Sequence, residues 1–311
     1  MNTPTLDDVR RRGALRTVVS RGIRGLSQRS DDGRWTGLDT DVARAVAAAA
    51  LGDAEAVDWL PSDPADRLPR LVAGEAELTV CNLSWTLGRE ATSPVLFAGV
   101  TCYDGEGFLV AADNGVEHPE QLAGRRLAVQ AGTTSATNLA SWYGSRGLSV
   151  EPVAFATPAE ALAGYASGDC AAYVLDRVAL AGERAALPDP SAHRILDTAI
   201  SREPMAAAVR DDDPSWFRLC RWVLQLLISA EHQADESGER EKALAQAAEA
   251  AGPHGPAIGL DEDWAARVLS AVGTYGDLYE RNLGTATPLA VPRGLNELWT
   301  RGGLHYAVPL H

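Results

Sequence analysis

One lysine, Lys242, stands among 28 lysines and arginines, and it lies in the charged run Glu239-Arg240-Glu241-Lys242. A Schiff-base enzyme needs an amine that burial can activate, and a lysine in such a run is a poor candidate. No Gly-Lys-Ser/Thr occurs, which excludes a P-loop nucleotide site. Positive charge is scarce altogether: 42 Asp+Glu leave a formal charge of −14. Nucleic acid and anionic membranes need a basic face, so neither is expected as a partner. The four cysteines, Cys81, Cys102, Cys170 and Cys220, form no CxxC, and the six histidines form neither HExxH nor a pair at helical spacing. No metal site follows from such a set. A GxSxG elbow is missing, and Gly105-Glu106-Gly107 lacks the third glycine of a dinucleotide loop, so no cofactor is expected. No apolar run approaches the ~18 residues of a membrane span, which argues against membrane insertion. Met1 to Gly13 is polar, unlike a secretory leader. As written, the chain reads as cytoplasmic; a trimmed leader would make it periplasmic.

What remains is an ordinary globular composition, 46% hydrophobic and 23% charged over 311 residues. That length suggests two domains. Thr5 as N-cap, with acids before bases and Gly13 as stop, predicts a first short helix. Strands at Leu15 to Val19, Ala56 to Leu60 and Leu78 to Leu83 alternate with helices from about Asp39 to Leu51 and Pro64 to Ala73. The alternation restarts: strands at Gly107 to Ala111, Arg126 to Gln130, Val153 to Phe155 and Ala171 to Leu175. Helices fall at His118 to Leu122, Thr134 to Tyr143, Pro158 to Ala166 and Arg177 to Ala186. Past Ala206 to Val209 the chain turns helical, at Pro214 to Ala230, Glu239 to Ala251 and Trp264 to Val272. Strands alternating with helices predict βαβ units and a mainly parallel sheet.

Ligands of such sheets lie beyond the strands' carboxyl ends, and three turns there carry suggestive chemistry. Ser84-Trp85-Thr86-Leu87-Gly88-Arg89 places hydroxyls near an arginine, whose planar fork suits a carboxylate. Gly132-Thr133-Thr134 opens a helix, where N–H groups and the dipole favour an anion. Asp176 follows a strand and offers a carboxylate for an ammonium group. Each has a plainer reading: Arg89 as a surface pair with Glu90, Thr133 and Asp176 as helix caps. Together they make a clamp for a zwitterion.

These residues sit in strings that resemble the periplasmic solute-binding proteins of general and polar amino-acid ABC transporters, closest to the general L-amino-acid receptors. The strings are Trp35-Thr36-Gly37-Leu38-Asp39-Thr40-Asp41, Trp85-Thr86-Leu87-Gly88-Arg89, Phe97-Ala98-Gly99-Val100, Tyr103-Asp104-Gly105-Glu106-Gly107-Phe108, Gln130-Ala131-Gly132-Thr133-Thr134, Ile258-Gly259-Leu260-Asp261 and Gly294-Leu295-Asn296-Glu297-Leu298-Trp299. The resemblance runs from Thr5 to Leu310. It implies an α/β fold: a two-lobe, type II periplasmic-binding-protein-like clamshell with two crossovers and a helical C-terminal extension. Lobe one would be 1–101 plus 203–311 and lobe two 104–200, with hinge strands about 100–104 and 200–204. It further implies that Arg89, with Ser84 and Thr86, grips the ligand α-carboxylate, and that Thr133 and Thr134 donate to it. Asp176 would bind the α-ammonium beside the backbone near Asn82. Where several relatives carry cysteines this chain has Thr17, Ala43 and Ala128, a pattern compatible with a reducing compartment. Ser20-Arg21-Gly22-Ile23-Arg24-Gly25-Leu26 stands where relatives commonly have a proline and an aromatic, which puts the usual aromatic wall in doubt.

The function expected is binding of a free α-amino acid, as the substrate-binding protein of an amino-acid ABC transporter, with the permease as partner if the protein is exported. The alternative is a cytosolic lyase resembling cyclohexadienyl dehydratase on the same fold, although Asp176 retains the binders' aspartate. Arg21, Arg24 and Arg67 stand near strand carboxyl ends, and Arg67 resembles an arginine of acidic-amino-acid receptors, so an acidic ligand is expected. The plainer reading has all three arginines facing solvent or paired with Asp31, Asp32 or Asp63.

Overall fold

The computed structural model describes residues 4–131 and 133–311. Met1-Asn2-Thr3 of the polar N-terminal segment and Gly132 of the Gly-Thr-Thr turn lie outside the described residues. The chain divides into two compact units. Unit 1 comprises Met1–Tyr103, Pro204–Thr287 and Pro292–His311; unit 2 comprises Asp104–Glu203 and Pro288–Val291.

In unit 1, α1 (Pro4–Arg12), β1 (Leu15–Ser20), β2 (Gln28–Arg29), β3 (Trp35–Thr36), α2 (Leu38–Leu51), β4 (Val57–Ser62), α3 (Arg67–Val72), β5 (Leu78–Thr79), α4 (Leu87–Thr92) and β6 (Val95–Asp104) come first. In unit 2 follow β7 (Glu106–Ala111), β8 (Arg126–Gln130), α5 (Ser135–Gly144), β9 (Glu151–Phe155), α6 (Pro158–Ala166), β10 (Ala172–Asp176), α7 (Arg177–Ala186) and β11 (His193–Ile195). The chain returns to unit 1 through β12 (Glu203–Arg210), then α8 (Pro214–Ser237), α9 (Arg240–Ala251), α10 (Trp264–Val272) and α11 (Tyr275–Asn282).

Each unit holds a five-stranded sheet, ordered β4-β1-β5-β12-β6 in unit 1 and β11-β7-β10-β8-β9 in unit 2. The sheets are mixed, which corrects the mainly parallel expectation. β1 runs parallel to β4 and β5, and β10 to β8, but β12 opposes β5 and β7 opposes both β10 and β11. Strand direction depends on where the chain crosses between units, and no local pattern records that. Thr5 also departs from expectation: it lies inside α1, and its N–H donates to Asp213 at 3.0 Å.

Local chemistry fixes the principal helices. Asp213 accepts from the N–H groups of Ser215 and Trp216, both at 3.0 Å, and Pro214 follows at the first helical position, so α8 starts there. Gly238, with φ 64°, ends it. At the start of α2, Gly37 has φ 131° and a Cβ there would lie 2.1 Å from the Leu26 carbonyl oxygen, so only glycine fits. Alanine-rich α2 is buried almost throughout and packs against α8, α10 and β1. In unit 2 the strands alternate. Phe108, Val110, Leu127, Val129 and Val174 pack on one face of the sheet, and Leu109, Ala128 and Tyr173 on the other. Sheets covered on both faces show this pattern.

Candidate functional site

The residues singled out from the sequence fall into two groups, one in each unit. In unit 1 they gather where β1 and β5 end. Ser20 is the last residue of β1, and its hydroxyl lies 2.7 Å from Asn82 Oδ1 and 3.3 Å from the Cys81 carbonyl oxygen. Asn82 has φ 45°, a left-handed backbone that asparagine tolerates better than most residues and that cuts β5 short of Leu83. Its N–H donates to Asp39 Oδ2 at 3.0 Å. Arg67 donates from Nη2 to Ser20 Oγ at 3.1 Å and is buried, not solvent-facing.

Asp39, only 1% exposed, is the carboxylate of this cluster. Burial raises its pKa to about 6, opposed by the Asn82 N–H and by the Arg67 charge. Asp39 Oδ1 and Arg67 Nε are both buried without a hydrogen-bond partner among the described atoms. Burial pushes the Cys81 thiol up to about 12, with Arg67 and Arg89 pulling the other way. The strand ends of unit 1 thus carry two guanidinium groups around a buried thiol and a buried carboxylate.

Arg89 lies in α4, whose N-cap is Thr86: the Thr86 hydroxyl accepts from the Arg89 N–H at 3.2 Å. The Arg89 side chain folds back and donates from Nη1 to the Ser84 carbonyl oxygen at 2.6 Å. Ser84 itself bridges to Met205 of β12, which fixes the turn to the sheet. Glu90 is not the partner of Arg89 in the simple surface pair. It accepts from Trp85 Nε1 at 2.8 Å, and Trp85 stacks on Phe97 with ring centroids 5.6 Å apart. Arg21 and Arg24 differ from Arg67. Arg21 is exposed and pairs with exposed Asp63 at 2.8 Å, while Arg24 is exposed on the same turn.

In unit 2, Thr133 donates from its hydroxyl to the Gln130 carbonyl oxygen at 2.8 Å and accepts from the Ser135 N–H at 3.4 Å. Thr134 occupies the N-cap position of α5 without a side-chain capping bond. Asp176 ends β10 and occupies the N-cap position of α7, again without a side-chain capping bond. The N–H that it would cap is taken by Asp104, whose Oδ2 accepts from Val178 at 3.0 Å. The plainer reading of Asp176 as a cap therefore does not describe its side chain.

Sequence reasoning did not single out Asp39, Ser20, Asp104 or Glu106 as site residues. Ser20 was marked by its place at the end of the first strand. The three acids carry no such signal, because carboxylates beside glycines and polar residues read as surface. In unit 2, burial raises Asp104 to about 6 and moves Glu106 in the same direction, with Glu203 adding to both. Unit 1 carries Arg67 and Arg89 with the buried Asp39 at its strand ends, and unit 2 carries Asp104, Glu106 and Asp176 with Arg177 beside them. An arginine fork can take a carboxylate and a carboxylate can take an ammonium.

Two α/β units joined by a chain that passes from the first to the second and back, each offering polar groups at strand ends, define the class of two-lobed solute-binding proteins. The chain belongs to the bacterial extracellular solute-binding proteins, family 3, whose model matches residues 15–247. It is 36% identical to the general L-amino acid-binding periplasmic protein AapJ of Rhizobium johnstonii, over 98% of this chain and 92% of that one. It is 37% identical to the glutamate/glutamine/aspartate/asparagine-binding protein BztA of Rhodobacter capsulatus, over 98% and 93%. Among solved structures, an ABC transporter periplasmic binding protein from Brucella ovis with glutathione bound superposes with a TM-score of 0.91. It shares 36% identity and both chains are covered completely. The resemblance read from the sequence is thereby borne out. Among the described residues, no helix is long and apolar enough to cross a membrane.

Proposed function

We propose that this protein binds a free α-amino acid, with an acidic one favoured, as the substrate-binding component of an ABC transporter working outside the cytoplasm. The observation that carries the reading is the placement of Asp176 at the carboxyl end of β10, where α7 begins. Asp176 then serves the ligand ammonium, Thr133 and Thr134 donate to the α-carboxylate, and Arg89 with Ser84 and Thr86 grips the same carboxylate. Asn82, fixed by Ser20 and Asp39, orients the backbone that receives the ammonium. Arg67 is the arginine best suited to a side-chain carboxylate, because it is buried beside Ser20 at the end of β1. Arg21 already has Asp63 as a partner and, with Arg24, takes the outer position.

Three relatives support this reading by their names: one a general L-amino acid binder, one a binder of glutamate, glutamine, aspartate and asparagine, one with glutathione bound. Glutathione carries a γ-glutamyl end with the same α-carboxylate and α-ammonium as glutamate, so a single clamp accounts for all three. The periplasmic setting named for the AapJ and Brucella relatives favours the exported option for this chain, with a permease as its partner. The lyase alternative is not carried forward, since these relatives are named for binding. Calorimetric titration with glutamate, aspartate, glutamine, glutathione and glutarate tests the proposal. Glutamate should bind more tightly than glutamine by about 1.5–3 kcal/mol, the contribution of a charged hydrogen bond. No heat with any amino acid would refute it.

A further inference from the structure

We propose that Asn296, in the segment that follows α11, is a hinge clasp: it holds the crossing strand β6 to unit 1 as far as Tyr103 and so sets the bending point between Tyr103 and Asp104. The inference rests on the proposed amino-acid binding only for the choice of ligand, and it names a residue which that reading does not use. Hinged proteins close over a ligand through a few residues that absorb the change in backbone torsion. The resemblance to solute-binding proteins leaves those residues spread over about 100–104 and 200–204. The hydrogen bonds narrow the spread to one step of the chain in each crossing.

β6 lies at the edge of its sheet, so one row of its backbone groups has no strand to pair with. At Tyr103 a side chain takes that strand's place. Asn296 Oδ1 accepts from the Tyr103 N–H at 2.7 Å, and Asn296 Nδ2 donates to the Tyr103 carbonyl oxygen at 2.9 Å. A primary amide offers a donor and an acceptor side by side, as a residue in a β-ladder does. Asn296 is buried, and its own carbonyl oxygen accepts from Arg293 Nη2 at 2.8 Å. Fully buried Tyr275 steadies both partners. Its hydroxyl donates to the Thr101 carbonyl oxygen at 3.0 Å and lies 3.3 Å from Asn296 Oδ1. The His305 ring packs on the Tyr103 ring, with centroids 5.2 Å apart.

The next residue belongs to unit 2 and is held there. Asp104 Oδ2 accepts from the Val178 N–H at 3.0 Å and Oδ1 from the Gly105 N–H at 2.8 Å, while the Gly105 carbonyl oxygen accepts from the Arg177 N–H at 3.1 Å. Tyr103 and Asp104 are thus adjacent in the chain and anchored in different units, which leaves the torsions between them as the place to bend. The returning crossing is built alike. In unit 2, Ser201 Oγ accepts from the Glu106 N–H at 3.0 Å and donates to Glu203 Oε1 at 2.8 Å. In unit 1, the Pro204 carbonyl oxygen accepts from the Trp85 N–H at 2.9 Å and that of Met205 from Thr101 Oγ1 at 3.2 Å. Pro204 has a fixed φ and holds Glu203 to extended backbone, so this crossing is the stiffer one. Most of the rotation then falls to the crossing that Asn296 controls.

The test is amide hydrogen exchange resolved to single residues, in wild type and Asn296→Ala, each with and without L-glutamate. Calorimetry on the same samples shows whether glutamate is bound, and a thermal melt shows whether the variant folds. In wild type, glutamate should slow exchange at Asp104–Glu106 and leave Thr101–Tyr103 unchanged. In Asn296→Ala without ligand, the Tyr103 amide should exchange at least about tenfold faster, the equivalent of one net hydrogen bond. Glutamate should then slow exchange as far back as Thr101. Slowing at Thr101–Tyr103 in wild type would overturn the bending point, and that arm needs no variant. An unchanged Tyr103 rate in folded Asn296→Ala would overturn the clasp. Absence of heat with glutamate in wild type would instead refute the amino-acid reading, and the ligand-free rates at Tyr103 would still decide the clasp.

Discussion

Replacing Arg293 by methionine should be among the most damaging single changes to unit 1. The guanidinium reaches Glu231 through two nitrogens, and Nη2 also donates to the Asn296 carbonyl oxygen at 2.8 Å. The two side chains are only 7% and 8% exposed. The cation lies 5.5 Å from the Tyr275 ring centroid and 5.7 Å from that of Tyr279. Asn296, fixed in this way, then grips the end of β6. Its Oδ1 accepts from the Tyr103 N–H at 2.7 Å and its Nδ2 donates to the Tyr103 carbonyl oxygen at 2.9 Å. Methionine keeps the apolar stem but leaves Glu231 buried and unpaired, which typically costs about 3–5 kcal/mol. Replacing both partners, as Glu231→Leu with Arg293→Met, should cost less than the single change, because no charge is then stranded. Seven of the eight tryptophans lie in unit 1, so their fluorescence reports its unfolding. With a urea dependence of roughly 2–3 kcal/mol per molar, the midpoint of the single variant should drop by about 1–2 M. A drop below about 0.3 M, or a double variant as unstable as the sum of the singles, would refute the argument.

Two further outcomes follow from burial. All four cysteines are buried and outside any disulfide, so thiol titration of denatured, unreduced protein should count four, and the native protein should react slowly; a count of two or fewer would contradict the structure. Asp104 has a folded pKa raised to about 6, so the stability it contributes is present below its unfolded value near 4 and is lost as pH rises through 6. Asp104→Asn should therefore gain on wild type by about 1–2 kcal/mol between about pH 5 and pH 7.5, the figure reduced because the side chain keeps some solvent contact. A difference that does not change with pH would show that Asp104 titrates as an ordinary carboxylate.

Much of the fold was legible because local chemistry decides it. The helices Pro158–Ala166, Arg177–Ala186 and Trp264–Val272 and the strand Arg126–Gln130 stand where periodicity, a leading proline or a terminating glycine placed them. The misses have physical causes. β6 runs unbroken from Val95 to Asp104 although Ala98-Gly99 interrupts its side-chain pattern, and the two-residue strands β2 and β3 are too short to show a period. α11 is half polar, since Asp277, Glu280 and Arg281 line its outer side, and only its capping box marks the start. β5 was read too long: it ends at Thr79, and Asn82, three residues on, is left-handed, a backbone state that sequence does not announce. Arg89, Thr133 and Asp176 were legible as candidates because they follow strands.

The central claim is that both ends of an α-amino acid are held. Titration of the wild-type protein with L-glutamate and with glutarate, which has the same two carboxylates but no ammonium, tests it most directly. Losing one partner of a buried charge-assisted pair typically costs about 2–5 kcal/mol, so glutarate should bind at least roughly thirtyfold more weakly than glutamate. Glutarate binding as tightly as glutamate would mean that Asp176 holds no ammonium, and the clamp would fall.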